Sequence, residues 1–259
     1  MLLVADIGNS STVLGIRESG GAIVRRWRIG SDRHRTPDEV GALLRALLRD
    51  GYDAESAPTA ACLASVVPPL TAVLAEAIGK HLGIEAHEFQ YAPSLGVRLD
   101  VDEPTQVGPD RVANTLGAHL GYPGAAIVVD FGTATNFDVV SPDGVFLGGI
   151  IAPGIESGFE TFTGATALLP RIARSHPQSF IGKTTVANVQ IGVYGGAVAM
   201  VDGLVGRIRE EWEPAARVIA TGGLSGVVGP DCRSVDLVDA DLTLKGIGWG
   251  YERLFPSTA

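Results

Sequence analysis

Blocks of apolar residues recur along the chain, and their period changes in step with the polar stretches between them. Residues 2–5 form a continuous apolar run that ends in Asp6-Ile7-Gly8-Asn9-Ser10-Ser11-Thr12, which predicts a buried strand and a polar turn. Strands are expected at 12–17 and 22–29. Thr36-Pro37-Asp38-Glu39 then joins a capping box to a proline at the first helical position, and Val40, Leu43, Leu44, Leu47 and Leu48 share one helical face, with Gly51 as the stop. A strand is predicted at 60–67. Pro68-Pro69 opens a second helix with Leu70, Val73, Leu74, Ala77 and Ile78 on one stripe.

The second half starts in the same way. The apolar run 126–129 ends in Asp130-Phe131-Gly132-Thr133-Ala134-Thr135, and strands at 136–141 and 145–151 flank the hairpin turn Pro142-Asp143-Gly144. Two Asp-x-Gly turns, each after four apolar residues and before another strand, read as an internal duplication. A long helix at 184–212, a strand at 217–221 leading into Gly222-Gly223-Leu224-Ser225-Gly226, and a helix at 242–255 complete the pattern. This predicts an α/β chain with two domains, 1–117 and 118–259.

Composition narrows the setting. Of the 259 residues 46% are hydrophobic and 19% charged, and the formal net charge of −9 disfavours nucleic acid and anionic membrane surfaces. The basic stretch Arg25-Arg26-Trp27-Arg28 with Arg33-His34-Arg35 is short, and reads as a solvated strand edge and loop. Two distant cysteines, Cys62 and Cys232, offer neither a zinc spacing nor a disulfide framework, and the first residues lack a basic leader. Apolar runs such as 144–155 stop short of the ~20 residues that a membrane helix requires. The expectation is a cytoplasmic protein with no membrane or nucleic-acid partner.

The turns carry the candidate chemistry. A carboxylate at a strand end followed by glycine lies beside backbone N–H groups that can approach a phosphate closely. Asn9, Ser10 and Thr12 in the first turn, and Thr133 and Thr135 in the second, add uncharged hydrogen-bonding groups. Asp6 and Asp130 would repel phosphate directly, so they call for an intervening cation, as in a Mg–ATP site. No Walker loop competes: Gly182-Lys183-Thr184 has its tail, but Pro177 stands where the first glycine belongs. In Gly108-Pro109-Asp110-Arg111, at a helix start, Asp110 can accept a hydroxyl proton and Arg111 can hold a phosphate or carboxylate.

The ordered set Asp6-Ile7-Gly8-Asn9-Ser10, Gly108-Pro109-Asp110-Arg111, Asp130-Phe131-Gly132-Thr133-Ala134-Thr135, Gly148-Gly149-Ile150-Ile151-Ala152-Pro153-Gly154, Leu169-Pro170 and Thr221-Gly222-Gly223 resembles the type III pantothenate kinases over nearly the whole chain. The resemblance implies duplicated ribonuclease-H-like (actin-like ATPase) domains with a nucleotide cleft, a homodimer, and transfer of the ATP γ-phosphate to pantothenate. It implies Asp110 as general base, and Asp6, Gly8, Asn9, Ser10, Thr12, Gly132, Thr133, Thr135, Gly222 and Gly223 at ATP, with Mg²⁺ through Asp6. It further implies K⁺ or NH₄⁺ at Asp130, and the small alcohol substrate at position 101, Gly108, Pro109, Asp110, Arg111 and Thr185. Departures cluster near the acceptor. Val101 replaces a usual tyrosine, Asn136 a usual threonine, and Ile191 a usual serine. Three readings stand at this point: a pantothenate kinase, a paralogous kinase of another small alcohol, and a non-catalytic nucleotide-binding regulator.

Overall fold

The computed structural model describes residues 1–49, 57–165 and 176–256, and side-chain positions at 162–165 are not among those described. The expected helix stop at Gly51 and the Leu169-Pro170 motif lie outside the described residues. The chain divides into two compact units, Met1–Gly121 with Asp241–Ala259, and Tyr122–Ala240.

Unit 1 contains β1 (Leu2–Ile7), β2 (Ser11–Arg17), β3 (Ile23–Gly30), α1 (Pro37–Arg49), β4 (Ala60–Ser65), α2 (Pro68–Leu82), β5 (Ala86–Glu88), the two-residue β6 (Arg98–Leu99) and α3 (Pro109–Gly121). Its sheet runs β3-β2-β1-β4-β5, with β1–β2 and β2–β3 antiparallel and β1–β4 and β4–β5 parallel. Leu3, Ala5, Ile7, Leu14 and Ile16 face Val40, Leu44, Leu70, Leu74 and Ile78 of the two helices in one core. The helical stripes read from the sequence therefore fill this layer. Thr36 and Glu39 form the expected reciprocal cap: the Thr36 N–H donates to Glu39 Oε2 at 2.7 Å, and the Glu39 N–H to Thr36 Oγ1 at 3.4 Å. Arg25–Arg28 lies on β3, an edge strand whose arginines are exposed.

Unit 2 contains β7 (Ala126–Phe131), β8 (Ala134–Val140), β9 (Val145–Pro153), α4 (Ile155–Ala165), α5 (Thr185–Gln190), a π turn at Ile191–Gly195, α6 (Gly196–Glu211), β10 (Arg217–Thr221), α7 (Ser225–Val228) and β11 (Leu237–Val238). The strand order is β11-β10-β7-β8-β9. The helix that continues through the π turn, Thr185–Glu211, is long and apolar enough to cross a membrane by length and composition only, a test that a core helix also passes. Its Tyr194, Ala197, Val201 and Val205 pack in the core with Ile127, Val129, Phe137 and Val218.

The last helix, α8 (Leu242–Leu254), belongs to unit 1, whereas the sequence boundary had assigned it to the second domain. Glycine explains the return. A Cβ at Gly246 would collide with the Ala113 carbonyl, and one at Gly117 would stand 2.7 Å from the Leu242 carbonyl, so α3 and α8 close to backbone contact. Glu252 on α8 adds an ion pair to buried Arg17 at 2.6 Å.

Candidate functional site

Each unit places an acidic turn at the carboxyl end of its first strand, and the two are built alike. In unit 1 the β1–β2 ladder closes on Ile7↔Thr12 after Asp6↔Val13, and the Gly8 N–H donates to the Ser11 carbonyl at 3.1 Å. In unit 2 the β7–β8 ladder closes on Phe131↔Thr135 after Asp130↔Asn136, and the Gly132 N–H donates to the Ala134 carbonyl at 3.0 Å. Asn9, Ser10, Gly132 and Thr133 are exposed, so their polar groups can meet a ligand. Thr12 and Thr135, expected to face phosphate, are instead buried at 5% and 1% exposure, and Thr12 shares a 3.0 Å hydrogen bond with Ser31 Oγ.

The Gly108-Pro109-Asp110-Arg111 motif lies on the same edge of unit 1 as the first turn. The Val66 N–H, just past β4, donates to the Ile7 carbonyl at 3.1 Å. A Cβ at Gly108 would stand 3.5 Å from Val66 Cγ1 and would collide with Asp110 Oδ1. Glycine at 108 is thus what lets the carboxylate fold back over the start of α3, where Oδ1 accepts the Arg111 N–H at 2.9 Å. Burial pushes the Asp110 pKa above the ordinary carboxylate value, against the opposing pull of the Arg111 backbone N–H and its guanidinium. A carboxylate so placed is a stronger base than one in water. Pro109 opens α3, and Val101 is half-buried in the preceding loop.

In unit 2 Asp130 is enclosed by neighbouring strands. It pairs in register with Thr221 on β10 and with Asn136 on β8, which sets the three side chains in one row on one face. Thr221 Oγ1 and Asn136 Oδ1 are both buried without a hydrogen-bond partner. Such orphaned oxygens are costly unless something meets them. A carboxylate and two neutral oxygens form a donor set suited to a hard cation. Gly222, at φ +90°, is where the chain turns after β10, and a Cβ there would collide with Asp130 Oδ1. Gly223 is exposed beside it, and the Leu224 N–H donates to the Phe131 carbonyl at 3.3 Å. Gly154 has a comparable role, since a Cβ there would collide with the Thr133 carbonyl. Thr185 is exposed at the start of α5, whose cap is Thr184 Oγ1 accepting the Ala187 N–H at 3.2 Å. The discounted Gly182-Lys183-Thr184 therefore leads into a helix cap.

Among the described residues no group of three or more His, Cys, Asp or Glu could hold a metal ion. Any Mg²⁺ at Asp6 would then have fewer than three such protein ligands and take the rest from phosphate and water. The sequence reading quoted Thr221 in the Thr221-Gly222-Gly223 motif but gave it no site role, because a threonine at the end of a buried strand carries no signal by itself. Arg33 was set aside as part of a solvated loop, yet it is bound to the first turn: its Nη2 donates to Asn9 Oδ1 at 3.2 Å.

Solved structures show the fold. The activator of the 2-hydroxyisocaproyl-CoA dehydratase from Clostridium difficile, solved with ADPNP, superposes with a TM-score of 0.55 at 13% identity over 97% of this chain and 93% of that one. With a mixed sheet in each unit, this likeness supports a two-domain ribonuclease-H-like fold. Sequence relatives are far nearer. The type III pantothenate kinases of Rhizorhabdus wittichii and Moorella thermoacetica are 45% and 43% identical, over 98% of this chain in both cases and 98% and 99% of their own length. The profile of the type III pantothenate kinase family matches residues 2–207. The chain belongs to the type III pantothenate kinase family.

Proposed function

We propose that this protein transfers the γ-phosphate of ATP to the 4′-hydroxyl of pantothenate, the first step of coenzyme A synthesis. The observation that carries the reading is the desolvated Asp110 on the same edge of unit 1 as the Asp6 turn, in a chain with full-length relatives of this family. Asp110 takes the hydroxyl proton as the oxygen bonds to phosphorus, and the bond to the ADP oxygen breaks. Asn9 and Ser10 in the unit 1 turn, and Thr133 in the unit 2 turn, offer donors to phosphate, Gly8 and Gly132 leave room for its approach while their own N–H groups close the turns, and Gly222-Gly223 are assigned to the adenosine by the family resemblance. The burial of Thr12 and Thr135 gives them a supporting role in this scheme. Arg111, Gly108, Pro109 and Thr185 orient the acceptor, and Val101 supplies an apolar contact where a phenol is usual.

Bound Mg²⁺ at Asp6 and K⁺ or NH₄⁺ at Asp130 would neutralise phosphate charge as the transferring group loosens. The row of Asp130, Asn136 and Thr221 supports the monovalent site, because two of its oxygens otherwise lack partners. A homodimer, a cytoplasmic setting and independence from nucleic acid and membranes belong to the same proposal. The buried thiols of Cys62 and Cys232, with pKa values pushed up to about 12 by burial, suit a reduced compartment.

The departures at Val101 and Ile191 favour one alternative, a paralogous kinase of another small alcohol, whereas Asn136 lies in the row around Asp130. A coupled ATP-consumption assay with Mg²⁺ and K⁺, run over pantothenate, nucleosides and other small alcohols, separates the two. Turnover confined to pantothenate supports the main reading, and turnover confined to another alcohol replaces it. ATP binding without turnover on any acceptor would leave the regulator reading.

A further inference from the structure

The first turn carries an acid, Asp6, and otherwise only neutral side chains up to Thr12, although a triphosphate bears several negative charges. The chain supplies a cation from elsewhere. The 30–35 loop between β3 and α1 is fastened to the turn at three points. The Ser31 N–H donates to the Ser10 carbonyl at 3.1 Å, Ser31 Oγ and Thr12 Oγ1 share a 3.0 Å bond, and Arg33 Nη2 donates to Asn9 Oδ1 at 3.2 Å. The loop also holds itself: the Asp32 N–H donates to the Gly30 carbonyl at 3.1 Å, and the His34 N–H donates to Asp32 Oδ1 at 2.9 Å. Arg33 and Asn9 are both exposed at the rim of the turn, so this guanidinium is set on a braced scaffold beside the groups expected to meet phosphate.

We infer that Arg33 is a nucleotide-binding residue, its planar fork contacting the phosphate chain of ATP while its bond to Asn9 fixes both side chains. The inference rests on the kinase reading for its ligand. The chemistry fits: arginine has five N–H donors, the contact with Asn9 uses one, and a fork of this shape matches phosphate oxygens in pairs. A solvated surface arginine would need no anchored loop beneath it.

The test is calorimetric titration of ATP with Mg²⁺ into the full chain, with no acceptor present. Arg33→Gln should weaken ATP binding about tenfold, the loss of one charge-assisted contact. Arg33→Lys should recover part of it, and melting temperatures should stay at the wild-type value. The loss should persist in an Asn9→Ala background, which separates direct phosphate contact from action through Asn9. Wild-type affinity in Arg33→Gln, or no effect of that change once Asn9 is alanine, would overturn the inference. Failure of the kinase reading would look different: wild-type protein that binds ATP, with Arg33 behaving as described, yet forms no phosphopantothenate.

Discussion

The turn after β1 and the turn after β7 start from the same plan and are finished differently. Four residues, Gly8 to Ser11, separate the last paired residues of the first turn, and three, Gly132 to Ala134, separate those of the second. The first is braced by a loop that brings an arginine to its rim. The second is backed by glycines at 154 and 222 and by a row of oxygens around Asp130, two of them unpartnered. A duplicated backbone motif is thus flanked by an exposed arginine in unit 1 and, in unit 2, by the carboxylate and unpartnered oxygens of the proposed cation site. The flanking residues, rather than the shared Asp-x-Gly, set which charge each turn can accept.

The largest expected effect belongs to Asp110, the proposed base beside the first turn. Asp110→Asn should lower kcat by about three orders of magnitude, within the range of general-base catalysis, while ATP titrations stay near wild type. Near-normal turnover in that variant would remove the base assignment. Next comes the cation seat: Asp130→Asn should abolish stimulation by potassium and cost about tenfold or more in kcat/KM, because charge on the transferring phosphate goes uncompensated. Equal activity of the wild-type protein in sodium and potassium buffers would contradict the contrast between the turns.

A backbone test follows. Gly222→Ala forces a Cβ into Asp130 at a positive φ, and should destabilise by about 1–3 kcal/mol, read as a lower melting temperature together with weaker potassium activation. Gly8→Ala has only a 3.1 Å contact with the Ser11 carbonyl to accommodate, at a φ outside the left-handed region, and should cost less. Equal losses from the two substitutions would erase the distinction.

The smallest effect is on pH dependence. Because burial raises the Asp110 pKa, the folded protein holds this proton to a higher pH than the unfolded chain does. Stability from this group is therefore lost as pH rises from the unfolded carboxylate value through the folded one. Asp110→Asn should melt higher than wild type at neutral pH, with the difference closing in acid, and the acid limb of wild-type kcat/KM should lie above the ordinary carboxylate range. A constant melting difference across that pH range would show that Asp110 is not held in a desolvating site.

Much of this was legible in the sequence because local rules decided it. The Thr36–Glu39 box, the Pro68-Pro69 helix start and the turn at Pro142-Asp143-Gly144 form as local chemistry dictates, and both strand–turn–strand units follow from apolar runs ended by Asp-x-Gly. What escaped depended on long-range contact. The return of α8 to unit 1 rests on glycines at 117 and 246 meeting backbone from a distant segment, and such glycines look like helix weaknesses in a linear reading. Arg33 and Thr221 gained their places through bonds and registers with residues 24 and 91 positions away, at Asn9 and Asp130. The burial of Thr12 and Thr135 came from the same cause, since the pleat decides which hydroxyls of a turn face inward.

The most direct test of the central claim is detection of the product. Purified protein incubated with ATP, pantothenate, Mg²⁺ and K⁺ should yield 4′-phosphopantothenate and ADP in equal amounts by mass spectrometry, and Asp110→Asn should yield almost none. ATP bound without phosphopantothenate formed, under conditions where another alcohol is phosphorylated or none is, would contradict it.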